Sequence, residues 1–152
     1  MSFESDIERY RQSGSEFAIA VRNHAARQDV GDDGSWNTTM VIHHMADVDL
    51  HFALRIREIL VHENPALVVF DEQKYAERLN YADRPIEAAL LLIKSVREDT
   101  AEVLLKFGES AWTRSGTRAD GTKIAVSDIV LKTIDHTQEH IDQIMSEPEP
   151  QS

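Results

Sequence analysis

The chain contains no cysteine, which excludes a disulfide framework, a thiolate zinc site, an iron–sulfur cluster and a cysteine nucleophile. Oxygen and imidazole chemistry remain. Positive charge is scarce as well. Sixteen Lys and Arg stand against 27 Asp and Glu, a formal net charge of −11, and a chain so acidic is repelled by phosphate backbones and anionic lipid. Nucleic acid and membrane surfaces are therefore not expected as partners. No run approaches the roughly 18 apolar residues of a membrane span. The opening MSFESDIERY lacks the charged start and apolar core of a signal peptide, and a soluble cytoplasmic protein is expected. Only six glycines and four prolines occur in 152 residues, so the elements should be long and uninterrupted. That length suits a single domain, expected over 1–147 with a disordered tail at 148–152.

Those few glycines and prolines divide the chain into helical windows. Ser5 to about Arg27 reads as a first helix on the spacing of Ile7, Tyr10, Phe17 and Val21, weakened by Gly14 inside it. The acidic stretch QDVGDDGS ends it. Asn37 stands at an N-cap position, and the run from Thr38 to about His62 carries one apolar stripe: Val41, Met45, Val48, Phe52, Ile56 and Ile59. After Pro65 comes a long link containing a short helical piece, EQKYAERL. A third long helix should run from Ile86 to Phe107, with Asp83 as its cap. Asp120-Gly121 can tip a small hairpin, and Ser127 can cap a last helix striped by Ile129, Val130, Ile134, Ile141 and Ile144. The fold class expected is all-α, a four-helix bundle whose long second connection permits a path other than simply up and down.

The sharpest local signal is DHTQEHIDQI, in which His136 and His140 are four apart. On a helix their imidazoles sit one turn apart on one face and can converge on a metal ion. It is not a zincin motif, because Thr137 stands where H-E-x-x-H needs its glutamate. A pair alone is equally the pattern of two surface or packing histidines. On the second helix His44, Asp47, His51 and Arg55 lie within about 80° of one another on a helical wheel, bordering the apolar stripe. One of them is a candidate third ligand, whereas His44 bonded to Asp47 or to a carbonyl is the bland alternative. His43, about 100° round the helix, belongs to another environment.

The blocks WNTTMVIHHMAD, an arginine eleven residues after His44, FDEQKYAERL, PIEAALLLI, WTR and DIVLKTIDHTQEHIDQI resemble, in that order, the DinB-like superfamily of metal-binding four-helix bundles, in its YfiT-type branch. The similarity runs from about Trp36 to Ile144. It implies a single divalent ion, zinc or nickel, on His44, His136 and His140, with three histidines matching the family's three ligand positions. YfiT-type relatives carry a histidine five residues after the second-helix ligand, where this chain has Asp49, and are richer in histidine near the last motif, where this chain has Gln138, Glu139 and Gln143.

The resemblance also implies chemistry. A divalent ion on three neutral imidazoles lowers the pKa of bound water to about 7 or favours a coordinated thiolate. Some members are described as metal-dependent hydrolases, and others as transferases or isomerases that use a low-molecular-weight thiol of the mycothiol or bacillithiol type. Eleven arginines against five lysines are a compositional association with GC-rich genomes and lean towards mycothiol. Asp47 is expected to orient an imidazole or the metal-bound water, and Arg55 to grip an anionic part of the small-molecule substrate or of the thiol, against a plain salt bridge to Glu58 or Asp71. The competing expectation is a metal- or ligand-binding bundle without turnover. A homodimer is left open, since no apolar stripe is plainly spare.

Overall fold

The second helix forms where its cap and stripe place it. In a computed structural model, which describes residues 2–24 and 36–146, α2 spans Thr38–Val61, and the Asn37 side chain accepts from the Met40 N–H at 2.9 Å. The other long helices are α1 (Phe3–Asn23), α4 (Glu87–Phe107) and α5 (Val126–Ser146), with the short α3 (Glu72–Arg78) in the second connection. The expected tail, the acidic stretch and the end of the expected first helix lie outside the described residues. No helix among the described residues is long and apolar enough to cross a membrane.

Two caps differ from expectation. No side chain caps α4: Ile86 occupies the N-cap, while Asp83 turns back through its own N–H to Asn80 O at 3.2 Å. At α5 the helix starts directly off a strand, which puts Ser127 inside it; Asp128 reaches back instead to accept from the Ala125 N–H at 2.9 Å. The hairpin forms around Gly121 (φ 87°), pairing β1 (Ser115–Thr117) with β2 (Lys123–Ala125) antiparallel. It is tied to the second connection by Leu67 N–H to Thr117 O at 2.8 Å and Thr117 N–H to Pro65 O at 2.9 Å. Arg114 of WTR serves the end of α2, donating to Ile59 O at 3.1 Å and His62 O at 3.0 Å, carbonyls a helix terminus leaves open.

The core consists of two clusters, one at each end. The first joins Phe3 and Ile7 of α1, Ile56 and Ile59 of α2, Ala101 and Leu104 of α4, and Val126 and Ile129 of α5. The second joins Phe17, Val41 and Met45, Ala89 and Ile93, and Ile141 and Ile144. Hence α1 and α5 run one way, and α2 and α4 the other. Helices α1 and α2 each pack against α4 and α5, which makes the order around the bundle α1, α4, α2, α5. Because α2 and α4 are parallel neighbours, residues 62–86 must travel back along the bundle. That return path runs along α2, bringing Val68, Glu72 and Tyr81 to His51, His44 and Asp47.

A buried polar clamp binds all four long helices. The Arg97 guanidinium forks onto Asp49, Nε to Oδ2 at 2.7 Å and Nη2 to Oδ1 at 3.0 Å. It also donates to Ser13 Oγ at 2.7 Å and Thr137 Oγ1 at 2.9 Å. Both ion-pair side chains are 1% exposed. Gly14 is explained by this clamp, since a Cβ there would meet Arg97 Cδ at 2.9 Å. The glycine that weakens the first helix on paper is the space the guanidinium stem occupies.

Candidate metal centre

Helices α2 and α5 are antiparallel neighbours, so a side chain near the start of α2 meets the last turns of α5. His44 is buried on α2, and His136 and His140 are half-buried on α5. One ring nitrogen from each lies within 4.8 Å of the others. The His136 Nε2 atom is 3.1 Å from His44 Nε2 and 3.0 Å from His140 Nε2. All three metal-ligand candidates named from the sequence are thus brought together.

This arrangement cannot be satisfied by hydrogen bonds alone. A neutral imidazole nitrogen either carries one proton or offers one in-plane lone pair, so His136 Nε2 can make one N–H···N bond but not two. The Gln143 amide oxygen at 2.8 Å from His140 Nδ1 requires an N–H there, which leaves His140 Nε2 as a lone pair facing the cluster. A cation among the three nitrogens resolves the conflict. The two spacings to His136 Nε2, 3.1 and 3.0 Å, match nitrogens about 2.0–2.1 Å from a shared ion, which stand about 2.9–3.4 Å apart at octahedral or tetrahedral angles, and all three lie within 4.8 Å of one another. The residues present therefore fit a divalent ion.

Electrostatics point the same way. Burial, reinforced by His140, holds His44 down to about 4. Burial, then His140, His44, Arg97 and Lys132, holds His136 down to about 3. Both rings are neutral at pH 7, the state in which imidazole binds metal. In metal-free protein the sign follows by linkage. The unfolded chain takes up protons below about pH 6.5 while these two folded rings do not, at about 1.4 kcal/mol per pH unit for each ring. Stability is full above that value and is lost as pH falls towards the folded values. Chelator-treated protein is expected to melt at a lower temperature at pH 5 than at pH 7, and His136→Gln to show a smaller drop. Denaturant midpoints across that interval check it.

The surroundings of the imidazoles divide the remaining expectations. His44 Nδ1 is buried without a hydrogen-bond partner, and the nearest carboxylate is Glu72 Oε2 at 3.9 Å, delivered by the returning connection. Trp36 packs edge-on to the His44 ring at 5.0 Å and walls the centre. Asp47 is not against an imidazole; its Oδ2 accepts the buried Tyr81 hydroxyl at 2.5 Å. Burial and that carboxylate push the Tyr81 phenol well above its usual range. Arg55 pairs with neither Glu58 nor Asp71 but donates to Val68 O at 2.8 Å, while Asp71 caps α3 by accepting from Lys74 N–H at 3.1 Å. His51 shares the same Val68 oxygen at 3.1 Å. His43 faces away, with Nε2 on Arg84 O at 3.0 Å and its ring stacked on Tyr81. A cleft of about 490 Å³ opens beside His136, lined by Arg118, Leu131, Lys132, Asp135 and Glu139 among others.

Gln143 and the Asp49–Arg97 clamp were not singled out for these places by sequence reasoning. Gln143 was detectable, being three residues after His140 on one helix face. Arg97 was too: it falls in the buried series Ala89, Ile93, Arg97, Thr100, Leu104, a charge at a core position. Glu72 reaches His44 only because the connection doubles back, and no local pattern records that.

The chain is similar to known proteins. The family model described as DinB superfamily matches residues 10–144. A Geobacillus thermodenitrificans protein named "putative metal-dependent hydrolase" is 31% identical over 116 residues, covering 75% of this chain and 65% of its own. An Oceanobacillus iheyensis protein of the same description is 26% identical over 113 residues, 74% of this chain and 65% of its own. The match thus spans just under two thirds of these relatives' length. Among solved structures, Bacillus subtilis YfiT, described as a probable metal-dependent hydrolase with an unusual four-helix bundle topology, superposes with a TM-score of 0.83 at 20% identity, covering 95% of this chain and 86% of that one. A mycothiol-dependent maleylpyruvate isomerase superposes with a TM-score of 0.72 at 14% identity, over 95% and 61%. At these identities the structures speak for the fold alone.

Proposed function

The chain belongs to the DinB superfamily, and on that premise we propose that His44, His136 and His140 hold one divalent metal ion, zinc or nickel, at which a low-molecular-weight thiol or a water is activated against a small electrophilic substrate. The observation that carries this reading is the His136 Nε2 atom, packed at 3.1 and 3.0 Å against two further imidazole nitrogens. When bound, such an ion stabilises a thiolate or hydroxide near neutral pH and polarises an electrophile.

The chain's own residues then have defined tasks. Gln143 holds the proton of His140 on Nδ1 and so aims its Nε2 lone pair inward. Burial keeps His44 and His136 unprotonated at neutral pH. Glu72, 3.9 Å from His44 Nδ1 and outside hydrogen-bond reach, places a negative charge beside that ring. Trp36 limits water on one side of His44, and the cleft beside His136 receives the substrate. Asp47 is held by Tyr81 and acts on the wall behind the centre, not on a ligand.

Thiol transfer is favoured over hydrolysis. The name of the mycothiol-dependent structural neighbour supports the thiol version, which needs a sulfur borrowed from solution because the chain has no cysteine. The names of the sequence relatives support the hydrolytic version. Zinc- or nickel-loaded, tag-free protein offered small thiols with electrophiles, and separately esters and amides, decides between them. The expected result is turnover in the thiol arm that is abolished by a chelator and by His136→Ala. Absence of metal-dependent turnover in both arms contradicts an enzyme and leaves a metal- or ligand-binding bundle.

A further inference from the structure

The cations beside the cleft lack the partners that a strongly acidic chain should supply. Arg55, Arg118 and Lys132 close no ion pair among the described residues, although the sequence carries 27 acidic groups for 16 basic ones. They come from three elements and converge. The Arg55 Cζ and Lys132 Nζ atoms lie 5.7 and 5.8 Å from the centroid of one ring, that of Phe52. Arg118 follows β1, which the Leu67–Thr117 bond ties to the connection bearing Val68, the acceptor for Arg55. Arg118 and Lys132 line the cleft together with His136. Lys132 stands four residues before His136, about 6 Å along the helix axis.

The donors are largely uncommitted. Arg55 spends Nη2 on Val68 O, and its buried Nε has no partner. Arg118 reaches only Thr122 Oγ1, at 3.4 Å. Burial and the neighbouring Arg118 lower the Arg55 pKa from its ordinary value; the Asp120 carboxylate feels the Arg118 charge but closes no ion pair with it. Among the carboxylates of the cleft, Asp128 is engaged with the Ala125 N–H, and Asp135 and Glu139 are solvent-facing residues of α5 that close no ion pair.

We propose that Arg55, Arg118 and Lys132 form a subsite for a carboxylate carried by the substrate or by its thiol partner, remote from the reacting atom. A guanidinium fork suits a planar two-oxygen anion, and Lys132 adds a point charge at the end nearer the imidazoles. The assignment rests on the cleft beside His136 being the reacting one, but its binding energy comes from residues outside the proposed ligand set.

Succinate and its uncharged diamide, equal in shape, are titrated calorimetrically into zinc-loaded protein and into the same protein after chelation. Succinate is expected to bind at least about tenfold more tightly, the equivalent of one charge-assisted pair. Arg55→Gln and the exposed-site Lys132→Gln should each erase most of the preference without changing zinc content. If the histidine centre binds no metal, zinc content is nil while the succinate preference persists in chelated protein, so the two readings fail separately. A preference of zinc-loaded protein for 3-mercaptopropionate over 3-mercaptopropanol places the carboxylate on the thiol; its absence, with the succinate preference intact, places it on the electrophile. Equal binding of succinate and succinamide, or a preference surviving both substitutions, overturns the proposal.

Discussion

Replacing Arg97 by methionine is expected to lower the melting temperature by roughly 10 °C, the largest loss predicted for any polar side chain in this bundle. Arg97 and Asp49 are each 1% exposed, and the guanidinium touches side chains from α1, α2 and α5. Removing one member of such a pair strands the other. Burial already raises the Asp49 carboxyl above its ordinary range, and the Arg97 charge and hydrogen bonds are what pull it back. An uncompensated buried charge costs about 3–5 kcal/mol. Asp49→Leu should therefore cost a similar amount. The double variant Asp49→Leu/Arg97→Met should lose much less than the two single losses together, because no stranded charge remains. Ser13 and Thr137 keep other bonds, to Tyr10 O at 2.8 Å and Thr133 O at 2.6 Å, so deleting the pair orphans neither. Thermal melts of the four proteins check this, and additive losses would contradict it.

Zinc should raise the melting temperature of the native chain and leave that of His136→Ala unchanged. A ligand bound only by the folded state stabilises by about 2.7 kcal/mol at a hundred times its dissociation constant, roughly 5–10 °C for a chain of this size. His136 is the informative position because its Nε2 contacts both other rings; the variant leaves two imidazoles that no longer share a nitrogen neighbour. Without metal the difference disappears. His136→Ala removes a desolvated ring whose second nitrogen contact is unsatisfied, so chelated variant and chelated native protein should melt close together. Gln143→Leu is the graded case: it leaves all three ligands but frees the His140 tautomer, and an affinity loss of about 10- to 100-fold is expected. A zinc-induced shift that persists in His136→Ala would place the metal elsewhere.

Local patterns made the helices legible because each rule acts within a few residues. Asn37 and the stripe from Val41 to Ile59 define α2, and the start of that helix falls where the cap puts it. The i, i+4 spacing of His136 and His140 was equally local. Bringing His44 to them needed the antiparallel packing of α2 on α5, which only the family resemblance supplied beforehand. Contacts made by the returning connection escaped, since the path of residues 62–86 is set by the parallel packing of α2 and α4. Asp47 shows the consequence. On the helix surface it borders His44, but Tyr81, 34 residues later, takes its carboxylate. Gly14 and Arg97 explain one another: a helix-weakening glycine and a charged residue in KSVRED look unrelated until they are placed against one another.

The central claim is that three imidazoles from two helices form one metal site. Calorimetric titration of zinc into tag-free, chelator-stripped protein tests it most directly, with His44→Ala and His136→Ala alongside. One site per chain in the native protein, lost in both variants while their helical content is unchanged, is the predicted result. No uptake by the native chain, or the same stoichiometry and affinity in all three proteins, would contradict it.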